Sequence, residues 1–176
     1  MPATADLAGA EIDLVPLDRR AHRLSAALDD DGGAFDLIIV DCPPSLGLLT
    51  INALTAATSV LVPVQCEFFA LEGLSQLTRT LDAVRRELNP RLHLEGVLLT
   101  MADRRNRLSE QVVTEVRAHF GKEAFDTVIP RSIRVSEAPS HGKPVLLYDL
   151  KSAGAQSYLS LAREIIDRER IAQPAT

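Results

Sequence analysis

Phe35-Asp36-Leu37-Ile38-Ile39-Val40-Asp41, running directly into Cys42-Pro43-Pro44-Ser45, decides the fold. Leu37 to Val40 are apolar without interruption and three of the four are β-branched. That pattern fits a short strand covered on both faces of a parallel sheet, rather than one that alternates between core and water. The aspartate that ends it and the prolines that follow would then mark the carboxyl edge of the sheet, where open α/β proteins bind their ligands. A helix is expected to begin near Leu48.

Outward from this segment the same grammar repeats. Ser59 to Val64 (SVLVPV) is a second apolar, β-branched run, and Leu92 to Met101 and Phe125 to Ile129 read as further strands. Between them, Ala70 to Leu88 sets Leu71, Leu74, Leu77, Leu81, Val84 and Leu88 three and four apart, one stripe on one helical face. Leu108 to Phe120 does so through Val112, Val116 and Phe120, with Gly121 placed as a C-terminal cap. Ser152 is positioned to cap a last helix whose inner face is Ala155, Tyr158, Leu159, Ala162, Ile165 and Ile166. Asp18 to Leu28 predicts a shorter helix near the front. Strand, helix and strand in succession predict one domain over 1–176, a doubly wound α/β fold with a mostly parallel sheet and helices on both faces.

The composition suits such a domain: 176 residues, 46% hydrophobic and 24% charged, enough to bury one sizeable core. No apolar run is long enough to cross a bilayer, which predicts a cytoplasmic protein without a membrane partner. Cys42 and Cys66 both lie in or beside apolar runs, where a thiol acts as a small hydrophobe in a reducing compartment. The net charge of −5 argues against a surface that coats nucleic acid everywhere. Residues 101–151 nevertheless carry nine Lys/Arg against seven Asp/Glu, so a local basic patch is allowed.

Three stretches could carry chemistry. Asp41, at the end of the expected strand, could orient a magnesium ion or its water ligands, or could simply cap the following helix. The segment from Ile129 to Pro144 is rich in turn formers but keeps apolar residues at 133, 135 and 138. It suits either ligand contact or a solvated connection. Asp103-Arg104-Arg105-Asn106-Arg107 crowds three guanidinium groups beside a helix start, fit for phosphates or for nothing more than a solvated turn. These residues contain no G-x-x-x-x-G-K-[ST]: Gly121-Lys122 and Gly142-Lys143 are followed by Glu123 and Pro144. Nor is there a G-x-G-x-x-G, H-E-x-x-H, C-x-x-C or G-x-S-x-G, and His22, His93, His119 and His141 lack metal-ligand spacing.

Taken together, FDLIIVDCPPSLGLLTINAL, SVLVPVQCEFFALEGL, LLTMADRRNRL and VIPRSIRVSEAPSHGKPVLLYD resemble the middle and end of the ParA/Soj family of DNA-partitioning ATPases, the deviant Walker A group that includes the MinD proteins. The resemblance implies a P-loop NTPase-like fold that uses ATP and magnesium. It implies that Asp41 is the Walker B aspartate near magnesium, and that Cys42, Pro43 and Pro44 begin a switch sensing the γ-phosphate. Thr100, Met101, Pro130 and Arg131 fall where the family encloses the adenine base. Arg105 and Arg134 match basic residues that hold DNA nonspecifically in the dimer.

The family's Gly-rich loop with two lysines, and the strand and helix around it, precede the point matching Pro2. The implied protein is therefore an N-terminally truncated relative, either a truncated gene product or a chain whose start is misassigned. Without those amides and ammonium groups, charge developing on a transferred phosphoryl group has no stabiliser, so these residues are not expected to hydrolyse ATP. Deleting a central strand should also leave an apolar strand edge open and the chain prone to aggregate. The expected role is a nucleoid-associated partitioning switch that forms a homodimer and works with nonspecific DNA and a ParB-like centromere-binding protein. The alternatives are a non-enzymatic modulator that binds DNA, a full-length relative or the ParB-like partner, and a membrane-surface ATPase like MinD. The last is disfavoured because Arg168-Glu169-Arg170-Ile171 has no bulky apolar face.

Overall fold

The computed structural model describes residues 7–30, 35–43, 45–103 and 105–172, and Pro44 and Arg104 lie outside the described residues. In chain order these form α1 (Leu7–Asp13), a 3-10 turn (Arg20–His22), α2 (Arg23–Asp30), α3 (Leu48–Ala56), β1 (Ser59–Gln65), α4 (Ala70–Glu87), β2 (His93–Ala102), α5 (Arg107–Phe120), β3 (Ala124–Pro130), α6 (Ile133–Glu137), α7 (Val145–Tyr148) and α8 (Ala153–Ala172). The chain divides into two compact units, one of residues 1–60 and 75–93, the other of 61–74 and 94–176.

The first unit is organised by two buried amides. Asn52 of α3 is almost fully buried, because every polar atom it carries has a partner inside. Its Oδ1 accepts from the backbone N–H groups of Arg23 and Leu24 at 3.0 and 3.2 Å, and its Nδ2 donates to Arg20 O and Leu48 O at 2.8 and 2.9 Å. One asparagine on α3 thus caps α2, satisfying N–H groups that a helix start leaves open. Asn89, just past α4, donates to Leu54 O and Ala57 O at 3.0 and 2.7 Å and closes the other end of α3. Glu11 of α1 accepts from Leu48 N at 2.8 Å, a carboxylate on the positive end of α3.

The second unit carries the sheet, ordered β1-β2-β3. β2 and β3 run parallel, with Val97 opposite Ala124 and Ala102 opposite Pro130. β1 runs the same way, since His93 N donates to Thr58 O where both strands begin and Cys66 N donates to Thr100 O where both end. Parallel neighbours need a crossover, which α4 and α5 supply, giving the expected α/β class. Leu98, Phe125, Ile129 and Leu161 form the buried cluster between the sheet and α8, flanked by Leu61 and Ile165. Gly96 is required there: a Cβ would collide with the Phe125 ring and the Glu123 carbonyl.

Several sequence expectations need correction. Residues 35–41 form no strand: the backbone bends at Asp36 and makes no ladder bond among the described residues. Phe35, Leu37 and Ile39 are 67, 68 and 83% exposed. An extended apolar run becomes a strand only when a neighbour completes its hydrogen bonds, and no described segment pairs with this one. On α8, Ala155 and Ile165 face inward as expected and Ser152 caps the helix by accepting from Ala155 N at 3.3 Å, whereas Tyr158, Ala162 and Ile166 are exposed. Leu161 and Arg168 take their place, because the helix turns toward Phe125 and the guanidinium stacks 4.0 Å over that ring. The expected front helix is split into the 3-10 turn and α2, with Arg19 left-handed at φ 52° before it. In the 129–144 segment Ala138 is buried and Val135 half-buried, but Ile133 is 75% exposed.

Candidate functional site

The carboxyl ends of the three strands are laced together in the second unit. Cys66, the residue after β1, donates its N–H to Thr100 O at 3.0 Å, and Thr100 Oγ1 donates back to Val64 O at 3.2 Å. On the other side of β2, Arg131 N donates to Ala102 O at 3.0 Å. Arg131 Nη2 lies 3.6 Å from Glu67 Oε1, so an ion pair joins the residue after β3 to the loop after β1, spanning the end of the strand between them. Four residues singled out from sequence, Thr100, Met101, Pro130 and Arg131, thereby meet on one edge of the sheet. Met101 has φ 54°, a left-handed conformation that a long side chain adopts only when its surroundings hold it there. Strain of that kind concentrates at ligand-binding edges, where backbone carbonyls and N–H groups must point out of the ladder.

Beside this edge the buried Ser109 hydroxyl accepts from Asp103 N at 3.2 Å, fixing the loop that leads into α5. Asn106 caps α5 by accepting from Leu108 N at 3.0 Å. Within the loop Asp103 accepts from Arg105 N at 3.0 Å, and the Arg105 guanidinium lies 3.3 Å from the same carboxylate oxygen. The backbone donor first, then the guanidinium, and lastly the charge of Arg131 hold the Asp103 carboxyl below its ordinary value, although burial opposes them. Burial pushes the Cys66 thiol up, partly offset by a hydrogen bond with Ser109.

Arg134, on α6, is ion-paired twice: Nη1 to Glu137 Oε2 at 3.0 Å and Nε to Asp149 Oδ2 at 3.4 Å. Tyr148 Oη donates to the same Glu137 oxygen at 3.3 Å, and the His141 ring stacks on Tyr148 at 4.9 Å. The hydrogen bond to Glu137, then that carboxylate's charge, then Tyr148 hold the Arg134 guanidinium still more firmly protonated. Sequence reasoning missed these counter-carboxylates. The spacing of Arg134 and Glu137, three apart in a helix, was a readable signal. Asp149 arrives from the turn between α7 and α8, and nothing in the spacing announces it.

Asp41, Cys42 and Pro43 lie exposed in the first unit, at the end of the unladdered 35–41 segment, and Pro44 lies outside the described residues. Desolvation, then the adjacent Asp41 carboxylate, push the Cys42 thiol up, so it is not a thiolate nucleophile at neutral pH. A nucleotide-bound magnesium ion takes one or two carboxylates from a protein and fills its shell with water and phosphate oxygens. Asp41 has that chemistry. Its backbone, however, is not held in a ladder, and among the described residues no three His, Cys, Asp or Glu side chains converge. These residues alone do not fit a resident magnesium. A groove lined by Glu11, Ile12, Asp13, Val15 and Pro16 contains none of the residues singled out from sequence.

Residues 1–94 match a family model described as an AAA domain. The chain is 63% identical over 172 residues to the chromosome partitioning protein ParA of Caulobacter vibrioides, covering 97% of this chain and 64% of that protein. It is 59% identical over 165 residues to the sporulation initiation inhibitor protein Soj of Bacillus subtilis, covering 94% of this chain and 65% of that one. It spans just under two thirds of these relatives' length. Among solved structures, cobyrinic acid a,c-diamide synthase from Mycobacterium smegmatis with bound ADP and magnesium superimposes with a TM-score of 0.80 at 37% identity, over 98% of this chain and 63% of that one. The cell division ATPase MinD of Pyrococcus furiosus shares the fold, with a TM-score of 0.68 at 22% identity, over 84% of this chain and 58% of that one. The chain belongs to the ParA/Soj family of chromosome-partitioning proteins.

Proposed function

We propose that this chain acts in DNA partitioning, contributing the base-facing edge and a DNA-facing surface of an ATP-controlled switch. The observation that carries this reading is the 63% identity to a chromosome partitioning protein, sustained over 97% of the chain. The strand-end edge supports it: Thr100, Met101, Pro130 and Arg131 form a rigid, strained rim, as a site that grips a flat base requires. Arg105 and Arg134 are the cations that hold DNA. Guanidinium groups facing phosphates give sequence-independent, salt-sensitive binding on a protein that is acidic overall. Nonspecific DNA, a ParB-like centromere-binding protein and a second copy of the family's ATPase are its partners, and the nucleoid is its place of work.

Hydrolysis of ATP is not part of what these 176 residues do by themselves. They contain no run of backbone amides and lysine with phosphate-loop spacing, and Asp41 is not pinned to a sheet. Binding to a duplex of arbitrary sequence, titrated at several salt concentrations, tests the reading. Arg105→Ala/Arg134→Ala is expected to weaken affinity about tenfold or more and to flatten the salt slope by roughly two counterions. Unchanged affinity and slope would remove both arginines from the DNA surface. ATP turnover by the chain that Asp41→Ala abolishes would overturn the statement on hydrolysis.

A further inference from the structure

Arg134 and Arg105 differ in how their charge is held. Arg105 is 90% exposed and leans on one carboxylate two residues away, a contact that moves with its own loop. Arg134 is clasped from two elements, by Glu137 within α6 and by Asp149 from the turn before α8. The positions of these contacts matter chemically. A guanidinium offers two forks of paired N–H donors, end-on through both Nη atoms and side-on through Nε and one Nη. Glu137 accepts from Nη1 at 3.0 Å, beside the first fork, and the Asp149 carboxylate stands 3.4 Å from Nε, beside the second. A phosphate approaching either fork meets a carboxylate.

We propose that Glu137 and Asp149 form a carboxylate latch that withholds Arg134 from phosphate, and that moving either carboxylate away strengthens phosphate binding at Arg134. The latch rests on the DNA-binding reading above and adds its control. Asp149 is the natural point of release. Its N–H donates to Val145 O at 2.8 Å, and its carbonyl accepts from Ser152 N and Oγ at 3.1 and 2.7 Å. The carboxylate is therefore anchored to the α7–α8 turn, and any shift of that turn carries it away from α6. Glu137 is also held by the hydroxyl of Tyr148, the residue before Asp149. Exposed ion pairs are weak enough for a phosphate to displace, so the latch grades affinity and does not abolish it.

The test is duplex-DNA affinity of the whole chain and of Asp149→Asn, Glu137→Gln and their combination, each also made in an Arg134→Ala background. The isosteric amides keep the packing and remove the charge. Each single change is expected to tighten binding by about two- to fivefold, and the pair by more. In the Arg134→Ala background the gain should disappear. An equal gain in both backgrounds would reduce the effect to net charge and overturn the latch. If no variant binds DNA, the DNA reading fails separately, and the latch is judged on Arg134 alone. Phenylglyoxal modification, followed by peptide mass spectrometry with Arg163 as internal reference, should proceed faster at Arg134 in Asp149→Asn than in the parent. An unchanged rate would overturn it.

Discussion

Two runs of this chain are both apolar without interruption and have different fates. Leu37 to Val40 stands unladdered and open to water, whereas Val97 to Leu99 in β2 is almost completely buried between two parallel neighbours. Hydrophobic pattern sets what a segment is able to do; a ladder on each side decides whether it does so. Within the sheet, pairing then propagates into function. The register of β1, β2 and β3 brings Cys66, Thr100 and Arg131 level at one edge. Asp41, at the end of the unpaired run, has no such reference and no such neighbours.

The sharpest way to break this comparison is to remove the ring at the centre of the paired region. Phe125 is fully buried among Leu98, Ile129 and Leu161, with Arg168 over its face. Phe125→Ala should cost about 3–5 kcal/mol in urea unfolding, from lost transfer energy and the cavity left behind. A loss below about 1 kcal/mol would mean that the sheet and α8 are not the stable part of the molecule.

Next in size is the carboxylate that fastens α8 to β3. Glu164 accepts from Asp126 N at 2.8 Å and Thr127 N at 2.9 Å and pairs with Arg168 at 2.9 Å. Burial pushes its carboxyl up, but the backbone donors of Thr127 and Asp126, with Arg168, outweigh that and leave it below its ordinary value. A carboxylate depressed in the folded state stabilises fully above the unfolded glutamate range, near pH ~4.3, and its contribution drains away as pH falls through the folded value. Glu164→Gln should therefore cost about 1–3 kcal/mol at neutral pH and flatten the acid limb of the stability profile. An unchanged acid limb would show that another group governs acid unfolding.

How much of this was legible follows from the kind of signal each element uses. β1, β2, β3, α4, α5 and the start of α3 were read to within a residue or two, because period and caps are local properties. The rim residues Thr100, Met101, Pro130 and Arg131 were named from resemblance, and their meeting follows from parallel strands whose carboxyl ends lie level. What escaped were facts about neighbours. The missing ladder along 35–41, Leu161 in place of Tyr158, and Asp149 beside Arg134 all depend on what stands across a gap in space. So does the left-handed turn at Met101, since no glycine or asparagine marks it in the sequence.

That turn supplies a smaller test, because ordered strands and strained rims answer substitution in opposite ways. In an ordinary strand Met→Val is mild and Met→Gly harmful. At φ 54° the order should invert: Met101→Val, with a β-branched side chain forced into the left-handed region, should cost about 1–2 kcal/mol. Met101→Gly should stay within about 0.5 kcal/mol, relief of strain offsetting lost packing and greater freedom of the unfolded chain. Valine tolerated better than glycine in thermal unfolding would show that the rim is not strained.

The least effect on stability, and the most telling contrast, is expected at Ile39. It is 83% exposed in an apolar run whose N–H and C=O groups make no ladder bonds among the described residues. Ile39→Lys therefore removes no buried contact, and the melting transition should move by less than about 0.5 kcal/mol. Self-association should respond strongly even so. An apolar extended edge is a template for pairing with another chain, and an inserted lysine is the usual guard against it. Static light scattering at rising concentration should show less association for Ile39→Lys than for the parent. Were the lysine instead to unfold the chain as badly as Phe125→Ala, residues 35–41 would have to be buried against a ladder, and the contrast between the two apolar runs would collapse.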